Sequence, residues 1–124
     1  MVRITQVSST LPRPAGPYSH AAGFAGIVYS AGQGGADAGG ELPADVATQF
    51  AQCFENVLAA LAAGGASEKD VVKVNVYLTA LENFAAMNEA YAAAFSDPYP
   101  ARTTVYVTLP AGMLIEVDAT AITR

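Results

Sequence analysis

The chain has 124 residues, 52% of them hydrophobic and 14% charged, with a formal net charge of −5. That length fits one domain, residues 1–124, and a globule of this size buries about 65% of its unfolded surface, enough for a modest core without staples. One cysteine and one histidine exclude a disulfide framework and thiolate- or histidine-rich metal sites, and six Lys plus Arg argue against nucleic acid as the main ligand.

No apolar stretch approaches the roughly 18 residues that a membrane crossing needs. Met1-Val-Arg-Ile-Thr-Gln6 has no long apolar run leading to a small-residue cleavage site, so cytoplasmic residence is expected. The segment Leu11-Pro-Arg-Pro-Ala-Gly-Pro17 cannot be regular structure, because its three prolines lack donors and bias their predecessors away from helix. It reads as an ordered loop that delivers Tyr18 to a specific place.

Two short runs, Ser19–Gly23 and Ile27–Gln33, flank the turn Phe24-Ala-Gly26 and predict a β-hairpin. Gly34-Gly-Ala-Asp-Ala-Gly-Gly40 is a flexible polar turn; no Gly-Lys-Ser/Thr follows it, so it is no phosphate loop. Val46, Phe50, Cys53, Phe54, Val57, Leu58 and Leu61 then form one apolar helical stripe, with Asp45 as N-cap and Gly64-Gly65 as the stop. Cys53 lies in that stripe and reads as a buried, inert thiol.

From Val71 to Leu78 the residues alternate, placing Val72, Val74, Val76 and Leu78 on one face of a strand and Lys73, Asn75 and Tyr77 on the other. Thr79 and Glu82 have capping-box spacing ahead of a second helix carrying Phe84, Met87, Tyr91 and Phe95, which Ser96-Asp-Pro-Tyr-Pro100 breaks. Strands over Arg102–Leu109 and Met113–Ile122, joined by Pro110-Ala-Gly112, complete the order β-β-α-β-α-β-β. This is an α+β fold, a single mixed sheet with two helices on one face. The uncovered face should carry Tyr77, Tyr106 and several threonines. It is too aromatic to leave comfortably in water, so self-association is expected.

Three residues could carry chemistry. His20 stands in a hairpin strand and reads as a surface or rim histidine rather than a catalytic base. Arg102 enters a strand among apolar residues, where a guanidinium suits a planar carboxylate; the plainer alternative is an arginine paired with a nearby acid. Glu116 is an acid in an aliphatic strand. It is either a proton shuttle facing a cleft or an ordinary solvated carboxylate.

Gly16-Pro-Tyr-Ser-His20, Tyr29-Ser-Ala-Gly-Gln33, Gln49…Asn56-Val-Leu, Val71-Val-Lys-Val-Asn-Val-Tyr-Leu78, Phe84…Asn88…Tyr91, Pro100-Ala-Arg-Thr103 and Leu109-Pro…Ile115-Glu-Val-Asp118 together resemble the RidA/YjgF family of imine deaminases. The resemblance implies a chorismate-mutase-like fold assembled as a homotrimer with sites in the clefts between subunits. It further implies hydrolysis of enamine and imine intermediates such as 2-aminoacrylate to a 2-oxo acid and ammonia, without cofactor or metal. On this chain it makes Arg102 the carboxylate anchor and Glu116 the acid that activates water. Tyr18, Gly32, Asn88 and Thr104, the last through its backbone, line the pocket. Thr104 stands where the family often has Cys, Tyr106 where it often has Glu, and the stretch from Arg102 to Glu116 is one residue shorter. A carboxylate-binding or regulatory trimer is the second reading. RNA cleavage, an activity attributed to some members, is disfavoured by the acidic balance.

Overall fold

The computed structural model describes residues 3–123; Met1, Val2 and Arg124 lie outside that description. The strands are β1 (Ile4–Gln6), β2 (Ala21–Phe24), β3 (Ile27–Ser30), β4 (Val71–Leu78), β5 (Ala101–Tyr106) and β6 (Ile115–Ile122), and the helices are α1 (Val46–Ala63) and α2 (Phe84–Ala94). The sheet order is β1-β2-β3-β6-β4-β5, with β4 and β5 parallel and every other pair antiparallel. It is the expected α+β arrangement of one mixed sheet and two helices, with β1 added at one edge. Ile4-Thr-Gln6 has too few residues to show a period, and only its register with Gly23, Ala22 and Ala21 makes it a strand.

Helix α1 forms for the reasons its sequence gives. The Asp45 carboxylate accepts a hydrogen bond from the Thr48 N–H at 2.9 Å, and Gly64 caps the other end, followed by Gly65 at φ 91°. Its stripe of Phe50, Cys53, Phe54, Val57 and Leu61 is fully buried against the sheet. Phe54 stands edge-on to Tyr91 of α2 (5.6 Å, 89°), which joins the two helices into one layer.

The structure corrects four details. Val72 is exposed, because a bulge between Val71 and Lys73 removes it from the alternation while Val74, Val76 and Leu78 remain fully buried. Thr79 and Glu82 form no capping box: α2 is preceded by a 3-10 turn over Leu81–Asn83 with no side-chain cap. Tyr106 pairs with Leu78, so it lies on the helix side of the edge strand rather than on the open face. Strands β5 and β6 are also shorter than expected and are not neighbours, since β4 lies between them. The open face carries Asn75, Tyr77, Glu116, Asp118 and Thr120 in the middle of the sheet.

Candidate active site

Glu116 sits in the middle of β6, opposite Tyr77. Strand alternation buries Ile115 and Val117 under the helices and turns Glu116 to the open face. Its carboxylate lies against Gly32, where a Cβ on residue 32 would collide with it. Burial pushes its pKa above the ordinary glutamate value, and the neighbouring charge of Asp118 pushes in the same direction.

The loop that brings Gly32 there is fastened from both sides. Gln33 exchanges backbone hydrogen bonds with Val117 at 2.8 and 2.9 Å. From α1, Asn56 donates to the Gly34 and Ala36 carbonyls at 2.9 and 2.7 Å. Gln49 donates to the Pro43 and Gly112 carbonyls and accepts from the Leu114 N–H at 2.7 Å. Both polar side chains are buried, Gln49 at 1% exposure and Asn56 at 4%.

Tyr18 arrives on the proline-rich loop, exposed, with its hydroxyl accepting from the Ala15 N–H at 3.1 Å. The next-but-one residue, His20, corrects the expectation of a rim histidine: it is 2% exposed. Its Nδ1 accepts from the Ser8 N–H at 2.8 Å and its Nε2 meets the Pro12 carbonyl at 2.9 Å, a pattern suited to the Nε2–H tautomer. His20 therefore clamps both ends of segment 8–12, and that clamp sets the path of the loop carrying Tyr18. Tyr18, Gly32 and Glu116 line one cavity of about 350 Å³, together with Arg13, His20 and Asn56.

Arg102 is elsewhere. It pairs with Val74 in the parallel ladder and so lies on the helix side of β5. Its guanidinium carbon is 4.7 Å from the centre of the Tyr91 ring and 5.8 Å from that of Phe84, and Nη1 approaches Met87 Sδ at 3.7 Å. No acidic side chain among the described residues pairs with it, so the ion-paired alternative is not what the fold builds. Asn88 lines the groove with Arg102, beside Tyr91 and Tyr99. Thr104, two residues along the same face, has a buried hydroxyl without a hydrogen-bond partner, as does Tyr91.

The predicted site residues thus fall into two groups. Tyr18, Gly32 and Glu116 are together on one side, and Arg102, Asn88 and Thr104 on the other, with the sheet between Glu116 and Arg102. Cys53 is fully buried, donates to the Gln33 carbonyl, and has its pKa pushed up by burial, as an inert thiol should. A third cavity, beside Ile4, Phe24 and Ile27, is lined by no titratable side chain. No group of three or more His, Cys, Asp or Glu among the described residues could hold a metal ion. Among the described residues no helix is long and apolar enough to cross a membrane.

A family model described as Endoribonuclease L-PSP matches residues 8–123. The chain belongs to the RidA/YjgF family. A RutC family protein of Pyrococcus horikoshii is 43% identical over 113 residues, covering 89% of this chain and 90% of that one. A 2-iminobutanoate/2-iminopropanoate deaminase of Escherichia coli is 35% identical over 125 residues, covering 97% and 98%. The crystal structure of RidA from an Antarctic Psychrobacter superposes with a TM-score of 0.92 at 40% identity, covering 97% of this chain and 99% of that one.

Within this RidA/YjgF chain, the residues that sequence reasoning left without a role are the ones that hold the site in shape. Gln49 and Asn56 had a legible signal. They are seven residues apart, as Cys53 and Ala60 are, so polar side chains recur at a buried helical spacing and must find buried partners. The clasp of Asn75 and Tyr77 on Asp118 needed the register of β4 against β6, which a period-2 pattern does not supply.

Proposed function

We propose that this chain hydrolyses small 2-imino acids to 2-oxo acids and ammonia, in clefts between the copies of a cytoplasmic homotrimer. The observation that carries the reading is the separation of Arg102 from Glu116. They lie on opposite faces of one sheet, each in its own incomplete cavity. A three- or four-carbon acid cannot reach both within a single chain. A neighbouring copy that brings its Glu116 and Tyr18 to this chain's Arg102 completes a site.

The chemistry asks little of the protein. An unpaired guanidinium backed by aromatic rings presents two parallel N–H donors to a carboxylate and fixes C2 of the substrate. Water adds to the protonated imine carbon while the Glu116 carboxylate takes its proton. Glu116 returns that proton to nitrogen, the C–N bond breaks, and nitrogen leaves with the bonding pair. The remaining hydroxyl proton passes to ammonia as C2=O forms. The raised pKa of Glu116 suits a group that must both accept and return a proton. No step calls on a cofactor.

The test uses 2-aminoacrylate released in situ by a lyase. Pyruvate release accelerates with the wild-type protein and falls to background with Arg102→Ala. Equal rates in the two proteins reject the site assignment. Binding of 2-oxobutanoate that needs Arg102, with no acceleration by the wild type, makes the chain a carboxylate-binding module instead.

A further inference from the structure

On the open face of the sheet, β4 and β6 bring four polar side chains side by side. The register sets Glu116 opposite Tyr77, and Asp118 opposite Asn75. Asp118 is clasped: Oδ2 accepts from the Tyr77 hydroxyl and Oδ1 from the Asn75 amide, both at 2.8 Å. No described residue donates a hydrogen bond to Glu116. Side chains two residues apart on a strand stand roughly 6–7 Å apart on one face. One acid is tied down and its neighbour is free to react.

We infer that Asp118, tied by Tyr77 and Asn75, is a positioning residue that holds a second carboxylate beside Glu116 and so adds to burial in setting the pH at which Glu116 takes up its proton. The inference deepens the deaminase reading and rests on it for its catalytic consequence. Both oxygens of Asp118 are occupied, so its charge cannot swing away as a lone surface carboxylate would. The clasp also leaves its mark on Tyr77, whose pKa rises chiefly through its hydrogen bond to Asp118.

Across the proposed cleft the neighbouring copy's Arg102 faces Glu116, a cation of opposite effect that Asp118→Asn leaves in place; within one chain the other groups around Glu116 do not compete for this role. Tyr77 faces it from β4, while Lys73 of the same strand is turned to Thr103 Oγ1 at 2.7 Å. From the N-terminal loop come Tyr18, His20 and Arg13, of which Arg13 is exposed to solvent and screened. Cys53, on the helix side, is held as a thiol. Asp118 is thus the near carboxylate on the same face, held immobile by two hydrogen bonds.

The experiment is carboxyl ¹³C NMR on the intact assembly, with Glu116 assigned through Glu116→Gln. In Asp118→Asn the midpoint of Glu116 falls by roughly half to one pH unit, whereas Asp118→Glu keeps it within about 0.2 unit of wild type. In the wild type, the Asp118 resonance shows a second inflection at the Glu116 midpoint. The acid limb of kcat/KM in Asp118→Asn moves with the NMR midpoint. A lowered Tm with an unmoved midpoint overturns the inference and leaves Asp118 purely structural. If Asp118→Asn does not fold, an Asp118 resonance blind to Glu116 in the wild type overturns it. A moved midpoint in a protein without imine turnover upholds the inference and rejects the deaminase reading; turnover with an unmoved acid limb does the reverse.

Discussion

A carboxylate in the middle of a sheet, with Ile115 and Val117 on either side of it in the chain, costs stability that only a task can justify. Within one chain Glu116 has that cost without compensation, since burial raises its pKa and no donor among the described residues offsets it. The sign of its pH dependence follows. A carboxyl with a raised folded-state pKa binds its proton more tightly when folded, so its contribution is most favourable below the ordinary glutamate value. It is lost as pH rises through the raised one. At neutral pH the ionised group therefore destabilises the fold. Glu116→Gln should lower turnover by about 100-fold or more. It should also raise Tm at pH 7.5 by roughly one or two degrees, because water screens part of the charge. Near pH 4 the two proteins should melt together. Thermal melts at the two pH values check this, and a variant less stable than wild type at pH 7.5 would mean that Glu116 has a partner holding it in place.

At the scale of elements, the loop carrying Gly32 depends on α1 more than on its own sequence. Asn56 supplies two hydrogen bonds to backbone carbonyls of the half-buried Gly34 and Ala36. Asn56→Leu, which keeps the branched skeleton and removes both donors, should cost about 2–3 kcal/mol in denaturant unfolding. It should also weaken turnover, because the freed loop no longer holds Gly32 against Glu116. The helix stripe, the Asp45 cap and the Gly64 stop were legible because each rests on local chemistry: a period, a side-chain acceptor, a residue without Cβ. The alternation of β4 was legible only in part, since the bulge at Val72 is set by pairing with β6 and leaves no mark in a period-2 pattern. The same limit applied to Tyr106, whose face follows from its parallel partner Leu78. It applied again to His20, whose clamp joins residues eight and twelve positions away. The separation of Arg102 from Glu116 was not legible at all. It depends on the parity of two strands that follow one another in the chain but are separated in the sheet by β4.

On the proposed reading, that separation sets how the copies work together. The helices cover one face of the sheet, and the other presents the Glu116 cavity together with exposed Tyr29, Val105 and Ile122, more apolar surface than a monomer comfortably leaves wet. If sites form between copies, a subunit lacking Arg102 still offers a working Glu116 to its neighbour, and a subunit lacking Glu116 still offers Arg102. Arg102→Ala and Glu116→Ala are each expected to be inactive as pure preparations. Unfolded together and refolded as an equal mixture, they regain activity. A cleft works when its Arg102 comes from one variant and its Glu116 from the other, which random assembly provides at about one cleft in four. The mixture should therefore recover roughly a quarter of the wild-type rate, while each variant refolded alone stays at background. Activity that never returns on mixing, in assemblies shown by mass spectrometry to contain both variants, would mean that Arg102 and Glu116 do not meet across a subunit boundary.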